Sequence, residues 1–559
     1  MITKATLSSL LANTPRIFIA MGLLATANAC SDDDNSQEEN APPIDNVVDI
    51  PLSQAQMAPS NPFLASGNYS ITHFNSGQTD AFPYAVKDGN FTIDPYQCDL
   101  TWGGPVNLMT LSSTSADYMW GMSSDRVSYI NVADGKFERV AEAPLPGIPT
   151  RTKEQLLTLC NSYTSYSELK DSVVKILGEH PQMSIANGNY VFCDKDNYVY
   201  TNAGRTMARY RLANAANPSE GIVLDSKLDL SAYMNGGFTL VGATMTFDGH
   251  VLVASQKSLV LIDRALTTVE DSWNLPDDQI LTNSMAVDEN SVYLASNSTT
   301  ANGKGVIQKI VCSNGKFSTD EAKGAWKATY DGGPLAPCIK LGYGTGSTPT
   351  LMGFGSDEDK LVVITDGAQH MKLIAFWRDE IPTDAKVVDS SNPRLAGVFN
   401  ITCGLPASTE WIQSEQSVVV GGYDAFVVNN IEVTPEKPDD KIIGVLAIGP
   451  VLQGPKGVEC VRWNTTTNQW ESRWTRADIR STSMIPCVST TSEMVFVNGW
   501  YDDAGWKITG LDWRTGKTRH QVTLGKDNRG NGAYAILQYF PNGDLLFNSV
   551  AGPFRAKLK

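Results

Sequence analysis

Five histidines could act as acid, base or metal ligand: His73, His180, His250, His370 and His520. No two of them lie within four residues of each other, so the H-E-x-x-H and H-x-H spacings that aim two imidazoles at one ion are absent. Each is expected to be a surface or satisfied interior histidine, with His370, after Asp366-Gly367-Ala368-Gln369, kept as the one of interest. Nucleophile patterns are as sparse. G-x-S-x-G is missing, and the two Ser-x-x-Lys matches fall on a surface-type helix (Ser167 to Lys170) and in a hairpin turn (Ser313 to Lys316). The Ser-Asp-Asn and Lys-Thr-Gly elements that such chemistry also needs are absent too. Gly342-Tyr343-Gly344-Thr345-Gly346 is glycine-dense but lacks G-x-G-x-x-G spacing and leads into a β run, which excludes a phosphate cradle.

The cysteines carry a different kind of information. Eight of the nine, Cys98, Cys160, Cys193, Cys312, Cys338, Cys403, Cys460 and Cys487, form an even set that permits up to four disulfides in an oxidising compartment, the alternative being buried free thiols. No C-x-x-C occurs, so zinc-ribbon, thioredoxin-type and c-haem chemistry fall away. The ninth, Cys30, stands directly after Ala27-Asn28-Ala29. Before it come Lys4, Arg16 and an apolar run from Ile17 to Ala29, too short to span a bilayer and ordered like a secretory signal. A Cys at the cut site is where bacterial lipoproteins take their lipid, so Cys30 is the expected lipidation site, with plain secretion as the alternative. Cys30-Ser31-Asp32-Asp33-Asp34 resembles the acidic export tag of surface lipoproteins in the Bacteroidetes group. The polar, acidic stretch up to about residue 60 has no periodicity and too little apolar area to fold, and it reads as a solvated tether.

These readings divide the chain into a signal peptide (1–29), a lipid-anchor Cys with an acidic tether (30–67) and a folded part (68–559). The expected location is the bacterial cell envelope, at the outer membrane or cell surface, with a periplasmic or secreted protein as the alternative. A net charge of −16, from 60 acids against 44 bases, argues against nucleic acid and against an anionic membrane face as partners. Membrane contact is therefore expected through the lipid alone. The composition, 42% hydrophobic with 19% charged residues, is globular.

From residue 68 on, short β-strands alternate with Asn-Gly or Asp-Gly turns. One unit recurs: a hydroxyl pair, an apolar strand, a turn and a second apolar strand, as in Gly242 to Ser255 and in Thr282 to Ser296, with looser copies near Met183, Ser347, Ser408, Ser481 and Gly532 and a degenerate one near Ser115. A second hairpin follows each, best seen at Val127 to Phe137, Val306 to Phe317 and Ile508 to Val522. Four strands repeating every roughly 40 to 75 residues predict an all-β fold, a seven- or eight-bladed β-propeller. Thr152 to Pro181 interrupts the pattern with two helices, over Lys153 to Leu159 and Ser167 to Leu177, a small helical insertion (about 152–181) placed as lid or decoration. The turn-rich Pro435 to Asp440 reads as an outer-edge loop, or as a linker between two β domains.

In such a fold the starts of the innermost strands converge at one tunnel mouth, a natural ligand site. The candidates there are Thr244, Asn283, Thr348, Glu410, Arg480 and Asn531, a polar ring in which Glu410 and Arg480 supply one charge of each sign; the bland alternative is that these groups satisfy nearby backbone. Asn283 to Ser296 resembles the inner strand of gluconolactonase and senescence-marker propellers. That resemblance implies a divalent cation such as Ca2+ held by Asn283 and Glu410, with lactone or ester hydrolysis. Leu511-Asp512-Trp513-Arg514-Thr515-Gly516-Lys517 is similar to the repeat of pyrroloquinoline-quinone-type propellers, a group with both alcohol dehydrogenases and non-catalytic outer-membrane lipoproteins that scaffold assembly. The leading expectation is a propeller that binds a small polar ligand or an extracytoplasmic protein at the mouth. The alternatives are a metal-dependent lactonase and a quinone-dependent oxidoreductase. The late tryptophans Trp463, Trp470, Trp474, Trp500, Trp506 and Trp513 could form an exposed docking patch or blade-to-blade core.

Overall fold

Turn chemistry sets the hairpins. Asp134-Gly135 and Asn314-Gly315 hold positive φ at both positions (52° and 75°, 52° and 68°), the mirror-image turn geometry that matches strand twist. In the computed structural model, which describes residues 50–104, 109–337, 340, 343–431, 438 and 440–559, these hairpins assemble into eight sheets. The signal segment, Cys30, Cys338 and most of Pro435 to Asp440 lie outside the described residues.

Five of the sheets are four-stranded antiparallel meanders in chain order. The third is typical: Leu240–Met245, Val251–Ser255, Ser258–Ile262 and Val269–Asn274. Its first three strands are buried throughout while the fourth is half-buried, so the apolar runs lie inward and the mixed strand outward. The eighth sheet is completed from the other end of the chain: Asp99–Leu100 pairs antiparallel with the C-terminal strand Gly552–Ala556, through Asp99 with Arg555 and Leu100 with Phe554. First and last parts of the folded region are thereby zipped into one sheet.

Residues 69–82 form a strap that follows the innermost strands around the centre. The carbonyls of Tyr69, Ser70, Ser76, Gly77, Thr79 and Asp80 accept from the amides of Ser112, Cys193, Val287, Leu351, Val420 and Val488, each in or beside a different inner strand. Ala81–Phe82 then pairs in parallel with Cys487–Ser489, and the Tyr69 hydroxyl donates to the Tyr539 carbonyl of the eighth sheet at 2.7 Å. Following a circle forces positive φ on non-glycine residues: His73 (62°), Phe74 (74°), Gln78 (60°) and Asp80 (57°). Such geometry persists where surrounding bonds over-determine it, and here every turn of the strap is tied to a sheet.

Four helices lie at one end. α1 (Lys153–Cys160) starts with a capping box between Thr152 and Gln155, α2 (Tyr166–Leu177) is capped by Ser165, and α3 (Pro181–Ser184) follows His180. α4 (Lys441–Ala447), between the second and third strands of the sixth sheet, starts at Asp440, whose carboxylate accepts from the Ile442 and Ile443 amides. Leu156, Leu159, Leu169, Val173 and Leu177 pack with Ile442, Ile443, Val445 and Leu446 in one apolar cluster that also takes in Ala533, Val550 and Ala551. The insertion and α4 are thus one cap. Among the described residues no helix is long and apolar enough to cross a membrane.

Packing decides two readings that the sequence leaves open. The seven described cysteines are all free, six of them buried, and burial pushes the Cys160 and Cys312 thiols up to about 12. The six late tryptophans are core. Trp463, Trp506 and Trp513 are at most 1% exposed and the other three no more than 7%, with Trp474, Phe426, Trp513 and Val488 joining the sixth sheet to the seventh.

Candidate functional site

The loops that enter the inner strands and the loops between second and third strands emerge at the capped end. Polar side chains from both sets meet there beside the strap. The deepest pair belongs to the strap itself: His73 Nδ1 lies 3.0 and 2.9 Å from the two carboxylate oxygens of Asp80, and both residues are fully buried. Burial pushes the Asp80 carboxyl up, and the adjacent imidazole partly offsets this. Because Nδ1 faces the carboxylate, Nε2 is the free corner of the ring, and it is buried with no hydrogen-bond partner. The ring stacks on Tyr190, centroid to centroid 6.0 Å at 25°. Tyr190 has φ of 56° and places its hydroxyl 3.3 Å from Thr348 Oγ1; burial raises its phenol to about 12.

Thr348 Oγ1 in turn donates to Asn283 Oδ1 at 3.1 Å, while Asn283 Nδ2 donates to the Gly346 carbonyl and the Ser284 amide donates back to Asn283 Oδ1. Above them sits an ionic group. Lys441, the first residue of α4, donates to Glu415 Oε2 at 2.6 Å and lies 4.5 Å from the Tyr534 ring centre. Glu415 Oε1 is buried without a hydrogen-bond partner. Burial raises the Glu415 carboxyl, with Lys441 and then Lys340 opposing. Lys340 Nζ donates to Gln413 Oε1 at 2.7 Å, and burial brings its ammonium down to about 7, against the pull of Glu415 and Asp366. Near neutral pH this amine is divided between its charged and neutral forms, so it can donate to an anion or accept a proton.

The six expected residues separate into distinct roles. Asn283 and Thr348 meet each other and Tyr190. Asn531 is buried and donates to the Val445 carbonyl of α4, its Oδ1 having no partner, so it pins the cap. Arg480 donates its guanidinium to the Gly454 carbonyl at 2.5 Å and its backbone amide to the Tyr501 hydroxyl at 3.1 Å, holding the chain that leaves α4. Thr244 is buried inside the third sheet's first strand with an unpartnered hydroxyl. Glu410 is exposed, its carbonyl taken by Gln369. Glu410 and Arg480 are not paired, because the sixth inner strand begins at Val419, nine residues beyond Glu410, after a long loop that brings Glu415 to the mouth instead. Of the histidines, His370 Nε2 is satisfied by the Thr409 carbonyl at 2.8 Å.

Asn283 and Glu410 share no partner, and among the described residues no group of three or more His, Cys, Asp or Glu side chains is placed to hold a metal ion. The donor set thus does not fit the cation that the gluconolactonase resemblance implies.

Comparison with known proteins adds the fold. The solved quinohemoprotein alcohol dehydrogenase of Comamonas testosteroni superposes with a TM-score of 0.50, covering 91% of this chain and 84% of that one at 10% identity. The fold is a β-propeller. BamB of Moraxella catarrhalis also aligns, over 80% of this chain and 92% of its own at 12% identity, with a TM-score of 0.43. In sequence, an uncharacterized protein of Archaeoglobus fulgidus is 28% identical over 332 residues, 57% of this chain. The propeller chain spans 61% of the length of that relative. No family model matches.

Proposed function

We propose that this protein is an envelope β-propeller, anchored through a lipid on Cys30, that holds a small polar ligand under its helical cap. The reading rests on one observation: two buried polar atoms, His73 Nε2 and Glu415 Oε1, have no partner among the described residues and belong to one polar column with Tyr190, Lys340 and Lys441. A buried acceptor or imidazole nitrogen left unpaired costs about 1–3 kcal/mol, so such atoms are expected to be met by something bound there. Glu415 offers an acceptor and Lys340 a donor, which suits a ligand carrying a hydroxyl or amine next to a carboxylate, carbonyl or similar acceptor. Such a ligand enters only if the cap moves.

The test is a thermal-shift screen of polar metabolites on the purified folded region, followed by calorimetric titration of any stabilising compound against wild type, Glu415→Gln and Lys340→Met. At least one compound should stabilise wild type and bind both variants more weakly by tenfold or more. Binding that is indifferent to both substitutions would move the site elsewhere.

A further inference from the structure

The fourth sheet departs from the regular meander. Its third strand, Lys304–Ser313, is ten residues long and carries two partners on the same edge: Lys316–Ser318 at one end and Trp326–Asp331 along the other. The outermost strand is therefore broken, and residues 319–325 loop away from the sheet. Between this break and the edge strand Val269–Asn274 of the third sheet lies a cavity of about 440 Å3, lined by Gln308, Lys309 and Trp326 of the fourth sheet's outer strands and, deeper in the same sheet, by Gln279 and Ser296. Its size falls within the roughly 300–1,000 Å3 of small-molecule sites.

The lining combines aromatic rings with uncommitted polar groups. Trp273 is half-buried on one wall, and Trp326 is fixed on the other by donating Nε1 to the Arg378 carbonyl at 2.9 Å. Gln308 is 9% exposed, and its amide makes no hydrogen bond among the described residues. Thr319 and Glu321, on the loop, are exposed at the rim. Lys309 is neutralised by Asp379 at 2.8 Å, and the other charged lining groups, Asp278, Glu321 and Lys327, are exposed at the rim.

We propose that this cleft binds a neutral oligosaccharide. Sugar C–H groups carry partial positive charge and pack on the electron-rich face of an indole such as Trp273. Ring hydroxyls need donors and acceptors together, because burying them unpaired costs free energy, and a primary amide such as Gln308 beside a hydroxyl and a carboxylate offers both. With Lys309 neutralised and Asp278, Glu321 and Lys327 solvated at the rim, the interior presents no net charge to favour an ionic ligand. A plain apolar ligand would strand the Gln308 amide.

The experiment is titration calorimetry of the folded region with gluco-, manno-, galacto- and xylo-configured neutral tri- to hexasaccharides, with indole fluorescence read in parallel. At least one series should bind, with a shift in emission, and Trp273→Ala and Gln308→Leu should each weaken it tenfold or more. Gln308→Leu keeps the volume of the strand residue, so it reports even if Trp273→Ala unfolds; circular dichroism of both variants identifies that case. Glu415→Gln should leave saccharide binding unchanged, which separates this site from the mouth. No heat and no emission change across the panel at millimolar sugar, or binding that survives Gln308→Leu in full, would overturn the proposal.

Discussion

Replacing Asp80 by Ala tests whether the strap is part of the fold's stability or merely threaded through it. The side chain is fully buried and accepts His73 Nδ1 with both oxygens, at 3.0 and 2.9 Å. Since His73 Nε2 has no partner already, truncation leaves an imidazole with two unpaired buried nitrogens. Stranding one such group costs about 1–3 kcal/mol, and breaking a buried pair reaches about 3–5 kcal/mol when both partners are charged. About 2–4 kcal/mol is therefore expected. An unfolding entropy of roughly 2.1 cal/mol/K per residue over about 500 residues is about 1 kcal/mol/K, so melting should fall by about 2–4 °C. Asp80→Asn keeps an acceptor for Nδ1 and tolerates the positive φ, and should cost under half as much. The double variant His73→Leu/Asp80→Ala removes both partners and should recover much of the loss seen with either single change, a coupling readable from a double-mutant cycle by scanning calorimetry. An unchanged melting temperature for Asp80→Ala, or strictly additive single and double effects, would refute the reasoning.

Acid should weaken the region around His520. Burial holds this imidazole below the ordinary range, with Nδ1 against the Lys87 carbonyl at 2.7 Å and Nε2 against the Tyr539 hydroxyl at 3.2 Å. The unfolded chain therefore takes the proton first, and this group's contribution is lost as pH falls below about 6.5; His520→Phe, flanked by Phe91 and Phe496, should flatten the melting-temperature slope from pH 7.5 to 5.5, and an unchanged slope would contradict it. Lys340 works in the same direction over a higher range. With its folded value near 7 and an unfolded value of about 10.4, its burial is least costly in alkali. Lys340→Met should thus be most stable relative to wild type below pH 7, with the gap closing between pH 7 and 10, as followed by denaturant titration. Free thiols predict that reductant leaves the melting temperature unmoved and that, of the seven described cysteines, half-buried Cys98 is the first to react with a thiol reagent in the native state, though slowly, because burial pushes its thiol up to about 11; a reductant-sensitive transition would show a disulfide.

The sheets were legible because their signals are local. Asp134-Gly135 and Asn314-Gly315 announce hairpins, and the copies at Gly242 to Ser255 and Thr282 to Ser296 mark inner strand pairs. The helices α1 and α2 were legible for the same reason, through their caps and 3.6-residue apolar spacing. α4 was not, since a seven-residue apolar run has no periodicity that separates a buried helix from a buried strand. The strap was hidden for a deeper reason: its bonds are to inner strands up to several hundred residues away, and no local pattern encodes a circle. His73 looked bland because its partner, Asp80, is seven residues on in an irregular segment. Glu415 and Lys340 escaped because the loops entering the fifth and sixth inner strands are long, so the expected strand starts at the sixth fell on Thr409 and Glu410. Asn283 and Thr348 were legible because both stand within a few residues of the inner strand that follows, where the repeat still holds its register, and the structure brings the two side chains together.

The central claim is that something polar belongs under the cap, against Glu415 and Lys340. The most direct measurement is native mass spectrometry of the protein isolated from the cells that make it, under gentle desolvation, beside Glu415→Gln isolated in the same way. A ligand held there predicts a discrete added mass on wild type, lost on collisional activation and diminished in the variant. Wild type and variant both at the mass of the unliganded protein, with no stabilising compound in the metabolite screen, would contradict the account.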